Sequence, residues 1–278
     1  MKTFEEIVDA LKSQANPELI PDMIKPVCIV SGKPYDMGYQ LGLELGQLSV
    51  NHCSSLSAWG RATEDGRLLN AVNADGGSFT PTSYGPTMVL YPENGYASMN
   101  NGGYNSNLAM NEKGFVSMAT NGGWDGRADD VGYGTPAVLS TMQLSLHCDS
   151  VASALHRALE INSAVGSPEN MHFADVGGNA CVVEVTNSHF ALRRSGENGE
   201  SDYLHATNYF VSPDMQDSKP SDLRRTKNAV SRFITENRLL QDTLGHITLD
   251  TLERIITCRD YFDGQQWVRN VWDPEYIS

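Results

Sequence analysis

Hydrophobic spacing opens the chain as a helix: over residues 4–13, Phe4, Ile7, Val8 and Leu11 share one face. Pro17 and Pro21 interrupt it, and the apolar run Val27-Cys28-Ile29-Val30, closed by Ser31-Gly32, predicts a strand. Residues 34–46 predict a helix behind a leading proline, with Gly38, Gly42 and Gly46 on one face. Those glycines either admit a close neighbour or simply weaken the helix. From Cys53 the period shortens. Strand-like runs at 53–60, 67–74, 87–91, 105–110 and 114–120 alternate with turn signals such as Glu64-Asp65-Gly66 and Asn111-Glu112-Lys113-Gly114. Two helices follow at 136–147 and 150–162, the second capped by Asp149 or Ser150. Strand texture returns at 170–176, 180–186, 189–194 and 203–208, and helices close the pattern at 220–239 and 248–258.

That order does not suit alternating βαβ units. It predicts an α+β fold: two stacked, mainly antiparallel sheets with helices packed outside them, a four-layer αββα sandwich. No internal repeat, low-complexity stretch or long linker divides the 278 residues, so a single domain over 1–278 is expected.

Composition narrows the partners. Apolar residues make 40% and charged residues 19% of the chain, an ordinary globular mixture. Acidic residues outnumber basic ones 34 to 20, for a net charge of −14. A field of that sign repels phosphate backbones and anionic lipid, so neither a nucleic-acid nor a membrane partner is expected. No apolar run approaches the ~18–20 residues that span a bilayer, and the acidic, periodic N-terminus is unlike a secretory signal. The five cysteines are odd in number and widely spaced, with no C-x-x-C pair, and no N-x-[ST] sequon occurs. Disulfides are therefore not expected and a cytoplasmic location is. The histidines lack metal-ligand spacing, and phosphate-loop, H-E-x-x-H and G-x-S-x-G signatures are absent; no metal and no cofactor is predicted.

Cys53 begins one predicted strand and Asp75 ends the next. A tight hairpin between them would bring their outer ends together, with Asn73 on the face of Asp75. By spacing alone, Cys53 is either a nucleophile or a small buried hydrophobe, and Asp75 either a catalytic carboxylate or a turn former before Gly76-Gly77.

The stretch from Cys53 to Asp75 resembles the mature start of the choloylglycine hydrolase and acyl-CoA:isopenicillin N acyltransferase family, N-terminal-nucleophile (Ntn) hydrolases whose cysteine is exposed by self-cleavage. The likeness continues through Asn111-Glu112-Lys113-Gly114-Phe115 to Asn121, and through 170–186, which is similar to the family's A-D-x-x-G-x-x-x-V-V-E hairpin. It extends to Thr207-Asn208-Tyr209-Phe210 and to Ser221-x-x-Arg224, while Gly38-x-x-x-Gly42 resembles a segment before the nucleophile. The resemblance implies that residues 1–52 are a propeptide and 53–278 the mature chain. It implies Cys53 as nucleophile, Asp75 orienting its freed amine, Asn208 and Asn121 building an oxyanion hole, Arg224 anchoring the Asp75 network, and Asn73 positioning the substrate amide. Trp59, Tyr84 and Trp124 would line an acyl pocket or belong to the core. Asn121 and Asn208 also suit turn or strand-end roles, and Arg225 competes with Arg224.

Certain residues depart from the pattern. His52 stands where self-cleaving relatives often carry glycine, and Val72 where bile-salt-hydrolysing members carry arginine, which brings the acyltransferase-like branch closer. The C-terminus reads as one strand where a pair is expected, so the outer wall of the pocket is either missing or supplied by a partner subunit, and a homo-oligomer is expected. The expected activity is cleavage of a linear amide C–N bond in a small N-acyl substrate, or acyl transfer, with an acyl-CoA as a possible donor. Two alternatives stand beside it: an uncleaved, inactive homologue on the same fold, and a thiol enzyme using His205 as base.

Overall fold

The computed structural model describes residues 53–73, 86–91, 96–101, 105–122, 137–161, 169–186, 189–196, 200–218 and 223–269. The elements expected at 4–13, 27–30 and 34–46, and the proposed propeptide, lie outside them.

Two antiparallel sheets make the centre. The smaller sets β1 (Ser54–Ala58) between β2 (Leu69–Asn73) and β10 (Tyr203–Ala206). The larger is a meander in chain order: β3 (Pro86–Tyr91), β4 (Tyr96–Asn101), β5 (Asn105–Asn111), β6 (Phe115–Asn121), β7 (Glu169–Asp175), β8 (Ala180–Val185) and β9 (Phe190–Arg194). The helices are α1 (Ala137–His147), α2 (Val151–Ile161), α3 (Leu223–Asp242) and α4 (Leu249–Ile256). A 3-10 turn covers Pro213–Ser218, and β11 (Tyr261–Phe262) pairs with β12 (Trp267–Val268).

Strand alternation sorts the layers. In β7, Met171 and Phe173 point outward and pack with Phe115, Val183 and Val185 against Leu144 of α1 and Val151 and Ala154 of α2. In the small sheet, Leu56, Ala58 and Tyr203 pack outward against Leu240 of α3, with Ile247, Leu252 and Ile255 at α4. Each Val, Leu, Ile, Phe or Met among them contributes about 1.5–3 kcal/mol when fully buried. The alternate residues meet between the sheets and are largely polar: Ser55 Oγ lies 3.0 Å from His172 Nδ1, and Asn170 Nδ2 donates to the Thr207 carbonyl at 2.7 Å. Every residue of β1 and β7 is buried, because both faces of these strands are covered. The result is the expected α+β sandwich of two sheets between helical layers. No helix among the described residues is long and apolar enough to cross a membrane.

Two turn motifs tie the large sheet to its helices. Asn111 Oδ1 accepts from Lys113 and Phe115 N–H, while its Nδ2 donates to the Ser145 and Cys148 carbonyls at the end of α1. Gly114 completes that turn with φ of 80°, a conformation that disfavours any side chain. Asp175 does the same in the neighbouring turn at this end of the sheet: Oδ1 accepts from Gly177 and Asn179 N–H, and Oδ2 from Val151 N–H at the start of α2.

Several sequence expectations change. The β1–β2 connection is not a tight turn: the strands stop at Ala58 and resume at Leu69, and the loop between them is pinned by a parallel bridge from Thr63 to Ile247. Ala62 and Thr63 are buried in that contact, which local turn signals do not reveal. Strand β4, Tyr-Ala-Ser-Met-Asn-Asn, has no β-branched residue and is extended because it is paired on both sides. At the C-terminus, β12 is the one strand expected over 265–278, and it pairs with β11, which the sequence did not mark.

Candidate active site

Cys53 sits at the mouth of β1 and is buried, 5% exposed. Because Ser54 pairs with Asn73, Ser54 and Asn73 share one face, toward α3, and Cys53 takes the other. The described cysteines are otherwise unsuited to nucleophilic work. Burial pushes the Cys181 thiol up to about 12 and also raises those of Cys148 and Cys258, so none of the three is a thiolate near neutrality.

One guanidinium joins the two strands that end here. Arg232 of α3 donates through Nη1 to the Cys53 carbonyl at 2.6 Å and to Ser54 Oγ at 2.9 Å. Through Nη2 it donates to Asn208 Oδ1 at 2.8 Å, and its Nε is held by Asn228 Oδ1 at 2.9 Å, one turn earlier. Arginine has donors only, so the Asn208 oxygen must face it and the Asn208 nitrogen must face away. That nitrogen donates to the Asn121 carbonyl at 2.8 Å, leaving its second hydrogen outside this bond. Cys53, Asn208 and Asn121 are thus brought together by a residue that sequence reasoning did not single out.

Arg224 lies on the same helix, roughly two turns before Arg232. Its side chain, like Asp75, Tyr84 and Trp124, lies outside the described residues. Arg232 could have been found from the period of α3, since Ala229, Arg232, Thr235 and Glu236 recur at helical spacing on its inward side. An arginine on a buried stripe needs a partner.

Glu236, one turn after Arg232, is 4% exposed and lies near Ser54 and Arg232. Burial holds its carboxyl above the usual carboxylate range, against the pull of His205, Arg232 and Ser54. The segment carrying Asn208 is fixed from several sides. The Thr207 carbonyl accepts from Asn170 Nδ2 at 2.7 Å and Thr120 Oγ1 at 3.2 Å, and Thr207 Oγ1 donates to the Ala229 carbonyl at 2.9 Å. Phe210 packs directly on Gly122, next to Asn121; a Cβ there would overlap its ring.

Other candidates fall elsewhere. Trp59 stands at the far end of β1, about 20 Å from Cys53 by strand rise. Its N–H donates to the Asp202 carbonyl and its indole lies beside Gly178, so Trp59 does not line the Cys53 site. His205 pairs with Leu56, three residues in from Cys53. Its ring is fully buried, stacked on Phe233 with centroids 4.0 Å apart, and bonded through Nε2 to the Phe233 carbonyl at 3.1 Å. It is a core histidine facing α3, not a base for Cys53. Among the described residues, no group of three or more His, Cys, Asp or Glu could hold a metal ion.

Comparison with known proteins agrees with this architecture. The family model described as acyl-coenzyme A:6-aminopenicillanic acid acyl-transferase matches residues 61–275. A mutant conjugated bile acid hydrolase from Clostridium perfringens superposes with a TM-score of 0.50 at 15% identity, over 77% of this chain and 80% of that one. An N-acylethanolamine-hydrolyzing acid amidase orthologue from Caenorhabditis elegans gives 0.42 at 14% identity, over 74% and 86%. A penicillin V acylase from Agrobacterium tumefaciens gives 0.38 at 12%, over 78% and 67%. No curated protein sequence matches the chain.

Proposed function

The chain belongs to the acyl-coenzyme A:6-aminopenicillanic acid acyl-transferase family, amide-bond hydrolases and acyltransferases of the Ntn type, and from that premise we propose that Cys53 is its nucleophile, freed by cleavage of the His52–Cys53 bond. The observation that carries this reading is the guanidinium of Arg232, which ties the Cys53 carbonyl to Asn208 and so orients an amide donor beside the sulfur-bearing residue.

In the maturation step the Cys53 thiol attacks the carbonyl carbon of His52. The C–N bond breaks, leaving a thioester and a free α-amine, and water then releases the His52 carboxylate and restores the thiol. An α-amino group has an ordinary pKa near ~7.7–8.0 and can take the proton of the adjacent thiol. The nearby positive charge of Arg232 disfavours its ammonium form, which favours the base. Asp75 orients the amine.

In turnover the thiolate adds to the acyl carbonyl of a linear N-acyl amide, or of an acyl-CoA donor. The second Nδ2 hydrogen of Asn208, with Asn121, stabilises the oxyanion; a donor of this kind contributes about 2.7–4 kcal/mol to the barrier. Collapse expels the amine of an amide substrate, or the CoA thiol of an acyl-CoA, with the proton from the Cys53 amine and leaves an acyl-thioester. Water or a second amine takes the acyl group and returns the proton. Arg232 touches no reacting atom and acts as a positioning residue for Asn208, while Arg224 anchors the Asp75 network.

Intact-mass spectrometry with N-terminal sequencing tests both parts. The expected species begins at Cys53 and gains one acyl group from acyl anilides of graded chain length, and Cys53→Ala abolishes the adduct. A 30.4 kDa chain that persists on long incubation and never acylates would overturn the reading.

A further inference from the structure

Asn208 is a side-chain amide whose orientation must be held against a developing charge, and the segment that carries it is gripped from below by a buried ion pair. Glu184 of β8 is fully buried and spends both carboxylate oxygens on backbone: Oε1 accepts from Val211 N–H at 2.8 Å and Oε2 from Ser212 N–H at 2.9 Å. Its Oε1 also lies 3.3 Å from Nε of Arg193 on β9, itself 2% exposed. Arg193 Nη2 donates to the His205 carbonyl at 2.5 Å. The third buried charge, Glu200, accepts from His205 N–H at 3.4 Å and stands 3.9 Å from Arg193 Nη1. One pair of charges on the large sheet therefore holds both ends of the segment 205–212, with Asn208 between the two grips.

Stability alone is a poor explanation for it. Two desolvated charges cost several kcal/mol, and the return is large only when every polar atom is matched. Here Arg193 Nε and Nη1 make no hydrogen bond among the described residues. An apolar pair of similar volume would serve the core as well or better. What an apolar pair cannot do is hold two consecutive backbone N–H groups and a carbonyl at fixed positions a few residues from Asn208. Carboxylate-to-amide bonds are roughly twice as strong as neutral ones and directional, which suits a clamp.

We propose that Glu184 and Arg193 are positioning residues for Asn208, clamping its segment so that the amide is already aimed when the oxyanion forms. The inference rests on the function proposed above for Asn208. In Glu184→Gln one carboxylate oxygen becomes an NH2 that faces a backbone N–H, so one grip opens and Arg193 loses its counter-charge. Misplacing a catalytic group by about 1 Å can cost about 10²-fold in rate.

The test pairs kinetics with a readout independent of turnover. In Glu184→Gln, kcat for acylation of Cys53 should fall about 10²-fold with KM nearly unchanged, and the loss should vanish in an Asn208→Ala background, as required of a residue acting through Asn208. Alkylation of Cys53 by iodoacetamide should keep its wild-type rate. The Nδ2 hydrogens of Asn208, assigned in the nitrogen-15 spectrum by Asn208→Asp, should move toward the positions of a free amide and exchange faster with water. If the single substitution prevents folding, Glu184→Gln/Arg193→Met removes both charges together and should restore folding without restoring kcat. A folded variant with wild-type kcat and unchanged Asn208 signals overturns the proposal, as does a kcat loss that persists undiminished without Asn208. If the wild-type protein never acylates, the functional reading fails while the amide spectrum still decides the clamp.

Discussion

Arg232 Nη2 donates to Asn208 Oδ1 at 2.8 Å, and that single contact decides which way round the Asn208 amide sits. Conversion of Arg232 to lysine keeps the charge but loses the planar fork that reaches Cys53, Ser54 and Asn208 together. Arg232→Lys is expected to lower kcat about 10²-fold in a folded protein, measured as the rate of acyl-thioester formation. Activity within a few-fold of wild type would show that charge alone suffices.

Asn208→Asp separates binding from catalysis at the same position. An aspartate can pair with Arg232, so the fold should survive. It loses the Nδ2 donor and faces the Asn121 carbonyl with a second acceptor. The expected loss is about 10²–10³-fold in kcat, with a melting temperature close to wild type.

His172 makes the protein sensitive to acid. Burial, then the like charges of Arg193 and His205, hold its imidazole down to about 3 in the fold, against 6.5 when exposed. Between those values the unfolded chain binds a proton that the native state refuses, so stability falls as pH drops, by about 1.4 kcal/mol per pH unit. His172→Gln should flatten that dependence in urea unfolding between about pH 6 and pH 4. Equal slopes in both proteins would refute it.

Glu236 works in the opposite sense. Its carboxyl is held above the ordinary 4.5 by burial, so above that value the native state binds the extra proton and stability declines as pH rises. Glu236→Gln should therefore melt higher than wild type at neutral pH, with the difference disappearing once the solution is more acid than the unfolded carboxyl. Thermal melts at the two extremes measure it.

Asp175 belongs to the scaffold. Losing its three backbone bonds frees the start of α2 and the β7–β8 turn at once. Asp175→Ala should cost about 2–3 kcal/mol in urea unfolding, with activity per folded molecule unchanged.

Apart from β4, strand and helix order from Cys53 to Ile256 was legible in the chain itself, because alternation and helical period are local properties of a surface half in and half out of a core. The same holds for the layer arrangement, whereas Cys53, Asn121 and Asn208 stood out as candidates only through the resemblance of their motifs to a known family. Motifs such as Asn111-Glu112-Lys113-Gly114 and Ala174-Asp175 stood out too, although their work is to close turns and cap helices. What no local pattern could supply was the partner of each polar residue. Arg232 and Cys53 are 179 positions apart, Ser55 and His172 117, Glu184 and Ser212 28. A buried polar side chain announces only that it needs a partner. Which one it meets depends on how two sheets stack and how one helix crosses them, and that geometry set Arg232 at the cysteine and Trp59 at the far end of its strand.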